Sequence, residues 1–145
     1  MVDERHEAPA ETALLLAEGY LLLLDNPERA SHHAALALQW AEEEVEGAPE
    51  LISRAHALMA RALLRSSDLI GAFGAWQGSP LPDWRVGVEL IEAGYDPTRI
   101  RAVLAEALPR HVDHERRAGS TTVAASDQIQ RLLAWIDAGC PRKPR

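Results

Sequence analysis

The chain of 145 residues is poor in several features that would each point to a class of protein. Its one cysteine, Cys140, excludes an internal disulfide framework and a cluster of thiolate metal ligands. It has 15 lysines and arginines against 22 aspartates and glutamates, so the formal net charge is −7. General binding to nucleic acid or to a membrane surface needs a concentrated positive face, which this balance does not favour. We therefore expect no nucleic-acid partner and no membrane insertion.

Long hydrophobic runs are also missing. The longest apolar stretch covers 13–24 and contains Glu18 and Gly19, whereas a helix that spans a bilayer needs about 20 apolar residues. The acidic residues before it have the wrong charge for a secretory signal. These observations predict a cytoplasmic protein.

The sequence is rich in alanine and leucine, with 25 and 20 residues respectively. Both are strong helix formers, and alanine lets helices approach closely. With 47% hydrophobic and 26% charged residues, the chain has the balance of a globular domain. The composition therefore predicts an all-α domain of closely packed helices.

Proline, glycine and capping residues divide the chain into about seven predicted helices. Their approximate bounds are 9–24, 27–46, 48–65, 68–77, 84–93, 97–109 and 122–138. Pro109 is expected to end or kink the sixth helix, and 110–121 is ambiguous. We predict one domain over 9–138, with disorder in 1–8 and in the basic tail 139–145.

A repeat emerges when the turn at Asp25 is aligned with the turn at Ser67. Ala30 then matches Ala72, and Ala34 matches Trp76. Small and large residues at these positions are typical of a tetratricopeptide repeat, here with a period of 42. This predicts antiparallel, tetratricopeptide-like helix pairs in a short right-handed array of six to seven helices. A plain helical bundle is the alternative, because alanine-rich helices cross at small residues in any bundle.

In a tetratricopeptide array the first helix of each pair lines a concave groove. Carried onto this sequence, that geometry predicts an apolar floor beside an arginine rim, suited to an amphipathic helix with a few carboxylates. The predicted groove residues are Leu15, Gly19, Leu22, Leu23, Arg54, Ala57, Arg61, Leu64 and Arg65. We expect Leu15, Leu22 and Leu64 to anchor the partner. Arg54, Arg61 and Arg65 would orient it. The alternative is that the leucines are core and the arginines a solvated face.

The first helix is apolar on nearly every side, with seven leucines in 14–24. Such a helix has to be covered on every side. Either the last helix folds back over it or a partner does.

Signals for catalysis, metal binding and DNA binding are few. The sequence has no glycine-rich phosphate loop and no nucleophile elbow, so we expect no enzymatic activity and no cofactor. His111 and His114 are three residues apart, but a zinc site would need a further ligand, and we expect no metal. The stretch 90–97 is similar to the opening of a helix-turn-helix. A helical regulatory protein that acts through DNA or a transcription partner is therefore the alternative function.

The order of the elements resembles a known family. The resemblance runs from Leu-Leu-Ala-Glu at 15–18 through Gln-Trp-Ala at 39–41 and the Ser-Asp turn at 67–68. It continues with Leu-Pro-Asp-Trp at 81–84 and the glycine turn at 94, and closes with the helix 101–107. The chain resembles the small tetratricopeptide-type chaperones of bacterial type III secretion, in particular the needle-protein chaperone.

That resemblance implies a cytoplasmic chaperone without enzymatic activity. The family holds the amphipathic helix of a secreted subunit in its concave groove and often works with a small helical co-chaperone on its outside. The chain is longer than the family after Pro109, and the extra segment has no counterpart there.

Overall fold

The computed structural model describes residues 9–43, 49–118 and 124–141, and every regular element in these ranges is a helix. The all-α prediction is therefore confirmed for this part of the chain. The seven helices are α1 (Pro9–Leu22), α2 (Pro27–Glu43), α3 (Pro49–Arg65), α4 (Leu69–Gln77), α5 (Trp84–Glu92), α6 (Pro97–Ala118) and α7 (Ala125–Asp137). The disorder predicted for 1–8 concerns residues outside the described ranges, as does most of the predicted tail.

Short polar side chains start several helices, as their sequence positions predict. The Oδ1 atom of Asn26 accepts a hydrogen bond from the backbone N–H of Arg29 at 3.1 Å. Asp68 does the same for the N–H of Gly71 at 2.9 Å. These bonds satisfy donors that the first helical turn leaves without a partner. Gly94 follows α5 with a φ of +105°, a conformation that favours glycine and ends the helix.

Of the two outcomes predicted at Pro109, an end or a kink, the structure excludes the end, because α6 continues to Ala118 with the proline in its interior. Proline removes one backbone hydrogen bond and crowds the preceding turn, which normally stops a helix. Here, side chains of the turn that follows Pro109 contact backbone carbonyls outside the helix. Arg110 Nε donates to the carbonyl of Pro80 at 2.9 Å, and His111 Nε2 lies 3.1 Å from the carbonyl of Pro82. These tertiary contacts carry the helix past the proline.

The helices pack in chain order, and the odd-numbered ones also contact one another. Helix α3 contacts α1 on one side and α5 on the other, and α5 also contacts α7. Between them, α2 packs on α1 and α3, and α4 on α3 and α5. Helix α6 packs on α5 and α7. The odd-numbered helices are thus linked in a continuous series of contacts, from α1 through α3 and α5 to α7.

The core consists of two clusters that meet at α3. The first joins α1, α2 and α3 and is built mainly from alanine, so these three helices lie close together. Ala30 and Ala34 on α2 are fully buried there. The second cluster joins α3 to α4, α5, α6 and α7 through larger side chains, with Trp76 at 0% exposure. The core therefore has two parts. Close contacts between alanines join α1, α2 and α3, and larger side chains around Trp76 join α3 to the last four helices.

Trp76 fixes the approach of α5 to α4. Its Nε1 donates to the carbonyl of Asp83 at 2.8 Å, which satisfies the polar atom of a buried ring. On the other side, a Cβ added at Gly87 would lie 3.1 Å from the Trp76 ring and 3.3 Å from Ile100. Glycine at this position is what allows α5 to lie against the indole, and α5 in turn places the segment 81–85 beside α3.

Candidate functional site

An open groove of about 550 Å³ lies where α3 faces the start of α5. Helix α3 forms one wall, and the segment 81–85 forms the other. Glu18 of α1, His111 of α6 and Ala125 of α7 also line it. The apolar residues lining the groove include Ala57, Leu58, Leu81, Pro82 and Trp84. Its charged lining residues include Glu18, Glu50, Arg54, Arg61, Asp83 and Arg85.

Two of the groove arginines form ion pairs with neighbouring glutamates. Arg61 is bidentate to Glu89, with Nε–Oε1 and Nη2–Oε2 distances of 3.1 and 3.2 Å. Arg54 Nη2 lies 3.6 Å from Glu18 Oε2. All four side chains are partly exposed, and such pairs contribute about 0–1 kcal/mol each. A carboxylate on an incoming ligand could therefore exchange with either glutamate at little cost.

His111 connects α6 to the segment that forms the groove wall. Its side chain is buried, and the Nε2–Pro82 carbonyl contact ties α6 to the 81–85 segment. Desolvation lowers the pKa of His111, more than the Pro82 carbonyl raises it. The imidazole is therefore neutral near pH 7, with Nε2–H as the donor to this carbonyl. Its role in the structure is to position the wall.

The second candidate metal ligand, His114, points elsewhere. Its Nε2 atom lies 3.4 Å from Glu50 Oε2, whereas the Nε2 atom of His111 faces the Pro82 carbonyl. Across the described ranges, no three side chains of histidine, cysteine, aspartate or glutamate are grouped so that they could hold a metal ion. The structure gives these two histidines no shared metal site there.

Glu115 holds the start of α7, which sequence reasoning did not detect. The cap position of α7 is Ala124, whose side chain makes no capping hydrogen bond. Instead the Glu115 carboxylate accepts hydrogen bonds from Ser126 N at 2.9 Å and Ser126 Oγ at 2.6 Å. Desolvation raises the pKa of Glu115, but the Ser126 side-chain and backbone hydrogen bonds outweigh it, and the pKa is lowered. This long-range cap places Ala125 at the groove.

The structure brings together only part of the predicted groove. Three of the predicted residues line the groove: Arg54, Ala57 and Arg61. Helix α1 contributes Glu18 to the lining. Leu64 packs partly buried against the larger core cluster. Arg65 Nη1 binds the carbonyl of Leu21 at 3.1 Å and Asp25 Oδ1 at 2.8 Å, so it joins α3 to the α1–α2 turn. Contacts within the chain therefore account for both Leu64 and Arg65.

The remaining predicted residues form a separate surface on α1. Leu15, Leu22 and Leu23 are 65%, 68% and 83% exposed. We call the face formed by Leu15, Leu16, Gly19, Leu22 and Leu23 the leucine stripe. It does not line the groove, because α1 is rotated so that Glu18 faces it instead. Helix α7 packs on α5 and α6 and leaves these leucines exposed.

Sequence reasoning also missed the second wall of the groove. The segment 81–85 reads as a linker that ends in a helix cap, and Asp83 Oδ1 does accept from Arg85 N at 2.9 Å. The signal that could have revealed it is Trp84, a large aromatic placed directly after a proline-rich turn. Its partly buried indole packs against the larger core cluster and lines the groove.

No protein-family model, no curated protein and no solved structure matches this chain. Within the described ranges, none of the helices combines the length and the apolar character needed to cross a membrane.

Proposed function

We propose that the chain is a non-enzymatic protein-binding module whose groove receives one face of an amphipathic helix. The observation that carries this proposal is the open groove, which sets an apolar floor around Ala57 and Leu81 between Arg54, Arg61 and Arg85. Grooves of this composition bind helices through apolar anchors, and flanking charges set the orientation.

The size of the groove limits what enters it. One turn of α-helix, treated as a cylinder about 10–12 Å wide and 5.4 Å long, occupies roughly 400–600 Å³. The groove holds about 550 Å³, so it does not enclose a long helix. It suits the apolar side chains of two or three turns that project from one face, while the opposite face stays in solvent.

The charged residues of the groove favour a binding partner whose helix carries carboxylates beside its apolar face. Asp83 Oδ1 already accepts the capping hydrogen bond from Arg85 N at the start of α5. Arg54 and Arg61 form partly exposed pairs that a client carboxylate can replace. The net charge of −7 therefore coexists with a groove that can accept acidic side chains.

In its most specific form, the proposal is a cytoplasmic chaperone for a subunit of a type III secretion system. The order of elements from 15 to 107 supports it, as do the successive contacts of α1, α3 and α5 and the buried alanines at 30, 60 and 72. These features are those expected of tetratricopeptide-like pairs in a right-handed array. A subunit that assembles through an apolar helix has to stay masked until export, and the groove would mask it. A small helical co-chaperone belongs to the same proposal.

The alternative of DNA binding gains no support from the charges on α6. A recognition helix needs basic side chains free to reach bases and phosphates. Arg101 is instead bidentate to Asp137, at 2.6 and 3.1 Å. Arg110 donates to the Pro80 carbonyl.

A peptide titration tests the groove. The probe is a labelled 18-residue helix with leucines at i, i+3, i+4 and i+7 and glutamates beside them, and its binding is followed by fluorescence anisotropy. A second probe has lysine in place of each glutamate. Reversing the groove charges with Arg54→Glu and Arg85→Glu is expected to weaken binding of the acidic probe at least tenfold. The matched control is Arg116→Glu with Arg117→Glu, two exposed arginines on α6 that do not line the groove.

Two results would contradict the proposal. One is equal affinity for the acidic and basic probes. The other is an equal loss of binding in the groove variant and in the control variant. Circular dichroism of each variant verifies that it remains helical, so that a loss of binding is not a loss of fold.

A further inference from the structure

We infer that the leucine stripe of α1 is the contact surface of a homodimer, in which the α1 helices of two copies pack antiparallel across a two-fold axis at Gly19. This surface is distinct from the groove. The inference does not depend on the function proposed above.

The arrangement of the stripe is the first argument. At 100° per residue, its four leucines lie within an arc of about 120°, and Gly19 is at the middle of that arc. Leu23 keeps its helical position although it follows α1, since its N–H donates to the Gly19 carbonyl at 2.9 Å. Two leucines precede Gly19 by four and three residues, and two follow it by three and four residues. A face with this symmetry is complementary to itself when turned by 180°.

Gly19 is the second argument. A Cβ added there would have no atom within 4 Å, so packing within one copy does not require glycine. Glycine in the interior of a helix is also unfavourable compared with alanine. An approaching backbone accounts for it, because glycine at a crossing point lets two helices come closest. Centred there, Leu15 meets Leu22 of the second copy, and Leu16 meets Leu23 of the second copy.

The area of the leucine stripe limits the affinity expected for the dimer. The four leucines are between 45% and 83% exposed, which is unusual for clustered apolar side chains on a soluble monomer. A stable interface usually covers about 800 Å² on each partner. One helix face supplies the apolar centre of such an area but not all of it. We therefore expect reversible dimers with a dissociation constant in the micromolar range.

Sedimentation equilibrium tests the association. The wild-type mass is expected to rise from 15.9 kDa towards twice that value as the concentration increases through the micromolar range. The double variant Leu15→Glu with Leu22→Glu is expected to stay monomeric. Ile70→Glu is the matched control, because Ile70 is 80% exposed on α4 and lies outside the stripe. A wild-type protein that stays monomeric at millimolar concentration would overturn the inference, as would an equal loss of association in the control.

Disulfide trapping tests the geometry in a Cys140→Ser background, which removes the one native thiol. Gly19→Cys is expected to cross-link to itself on mild oxidation, and its added Cβ meets no atom within 4 Å in the folded chain. When Leu15→Cys and Leu22→Cys proteins are mixed, the antiparallel arrangement predicts disulfides between the two variants. Disulfides of each variant with itself only would show a parallel pair and overturn the inference.

Discussion

The long-range cap of α7 gives the sharpest prediction about stability. In Glu115→Gln the side chain keeps its shape but loses its charge, and its amide group cannot accept both hydrogen bonds from Ser126. Hydrogen bonds to charged groups contribute about 1.5–3 kcal/mol, and a lost helix cap costs about 0.5–2 kcal/mol. Glu115 is partly exposed, so solvent screening places the expected loss at the lower end, about 1–2 kcal/mol.

Urea and thermal unfolding followed by circular dichroism measure this loss. For a domain of this size, about 1–2 kcal/mol corresponds to a lower Tm by roughly 3–8 °C. Glu106→Gln is the control, because Glu106 lies on the same helix with its side chain 79% exposed. That change is expected to alter the free energy of unfolding by less than about 0.5 kcal/mol. A double-mutant cycle with Ser126→Ala should show that the two changes are not additive.

The pH dependence gives an independent check of the same bond. The folded-state pKa of Glu115 lies below the ordinary value of 4.5, so the charged carboxylate stabilises the folded chain above that pH. This contribution is lost as the pH falls through the folded-state pKa. The difference between wild type and Glu115→Gln should therefore shrink in acid. Equal stability of Glu115→Gln and Glu106→Gln at pH 7 would show that the Glu115–Ser126 hydrogen bonds do not stabilise the fold.

Three further predictions concern the core and the groove wall. Burial lowers the pKa of His111 below its ordinary value of 6.5, so stability should fall as the pH drops from 7 to 5, by at most about 1.4 kcal/mol per pH unit. Urea midpoints should show a flatter dependence in His111→Gln but not in His32→Gln, an exposed control. Gly87→Val should destabilise the domain by about 1–3 kcal/mol through overpacking against Trp76, measured by urea unfolding. Gly74→Ala, where the added Cβ meets no atom within 4 Å, should instead stabilise it by about 0.5–1 kcal/mol in the same assay.

The helices could be predicted well because their signals are local. Capping side chains such as Asn26 and Asp68, prolines at first-turn positions and Gly94 act within a few residues of the boundary they set. The exception is Pro109, where the local signal predicted an end or a kink and the helix continues to Ala118. Bonds from Arg110 and His111 to a loop 30 and 29 residues earlier in the chain hold the helix beyond the proline. No local pattern contains that information.

The candidate site could be predicted only on its α3 side. The helical spacing of Arg54 and Arg61 shows that they share a face, and the structure places both in the groove. The rotation of α1 depends on which side packs against α2 and α3, and a helix that is apolar on all sides gives no clue to it. Alanines at 13 and 17 face the core, which turns Leu15 and Leu22 to solvent. The segment 81–85 was missed because loops carry no periodicity.

Photo-cross-linking in the native host tests the proposed function most directly. A photoreactive phenylalanine analogue replaces Leu81 in the groove, Leu23 in the leucine stripe or Ile70 on the far side of α4, and cross-linked products are identified by mass spectrometry. We expect position 81 to capture an amphipathic helix of a secreted subunit and position 23 to capture a second copy of the chain. Position 70 should capture neither. Capture of the same subunit at position 70 but not at position 81 would contradict the assignment of the groove as the binding site.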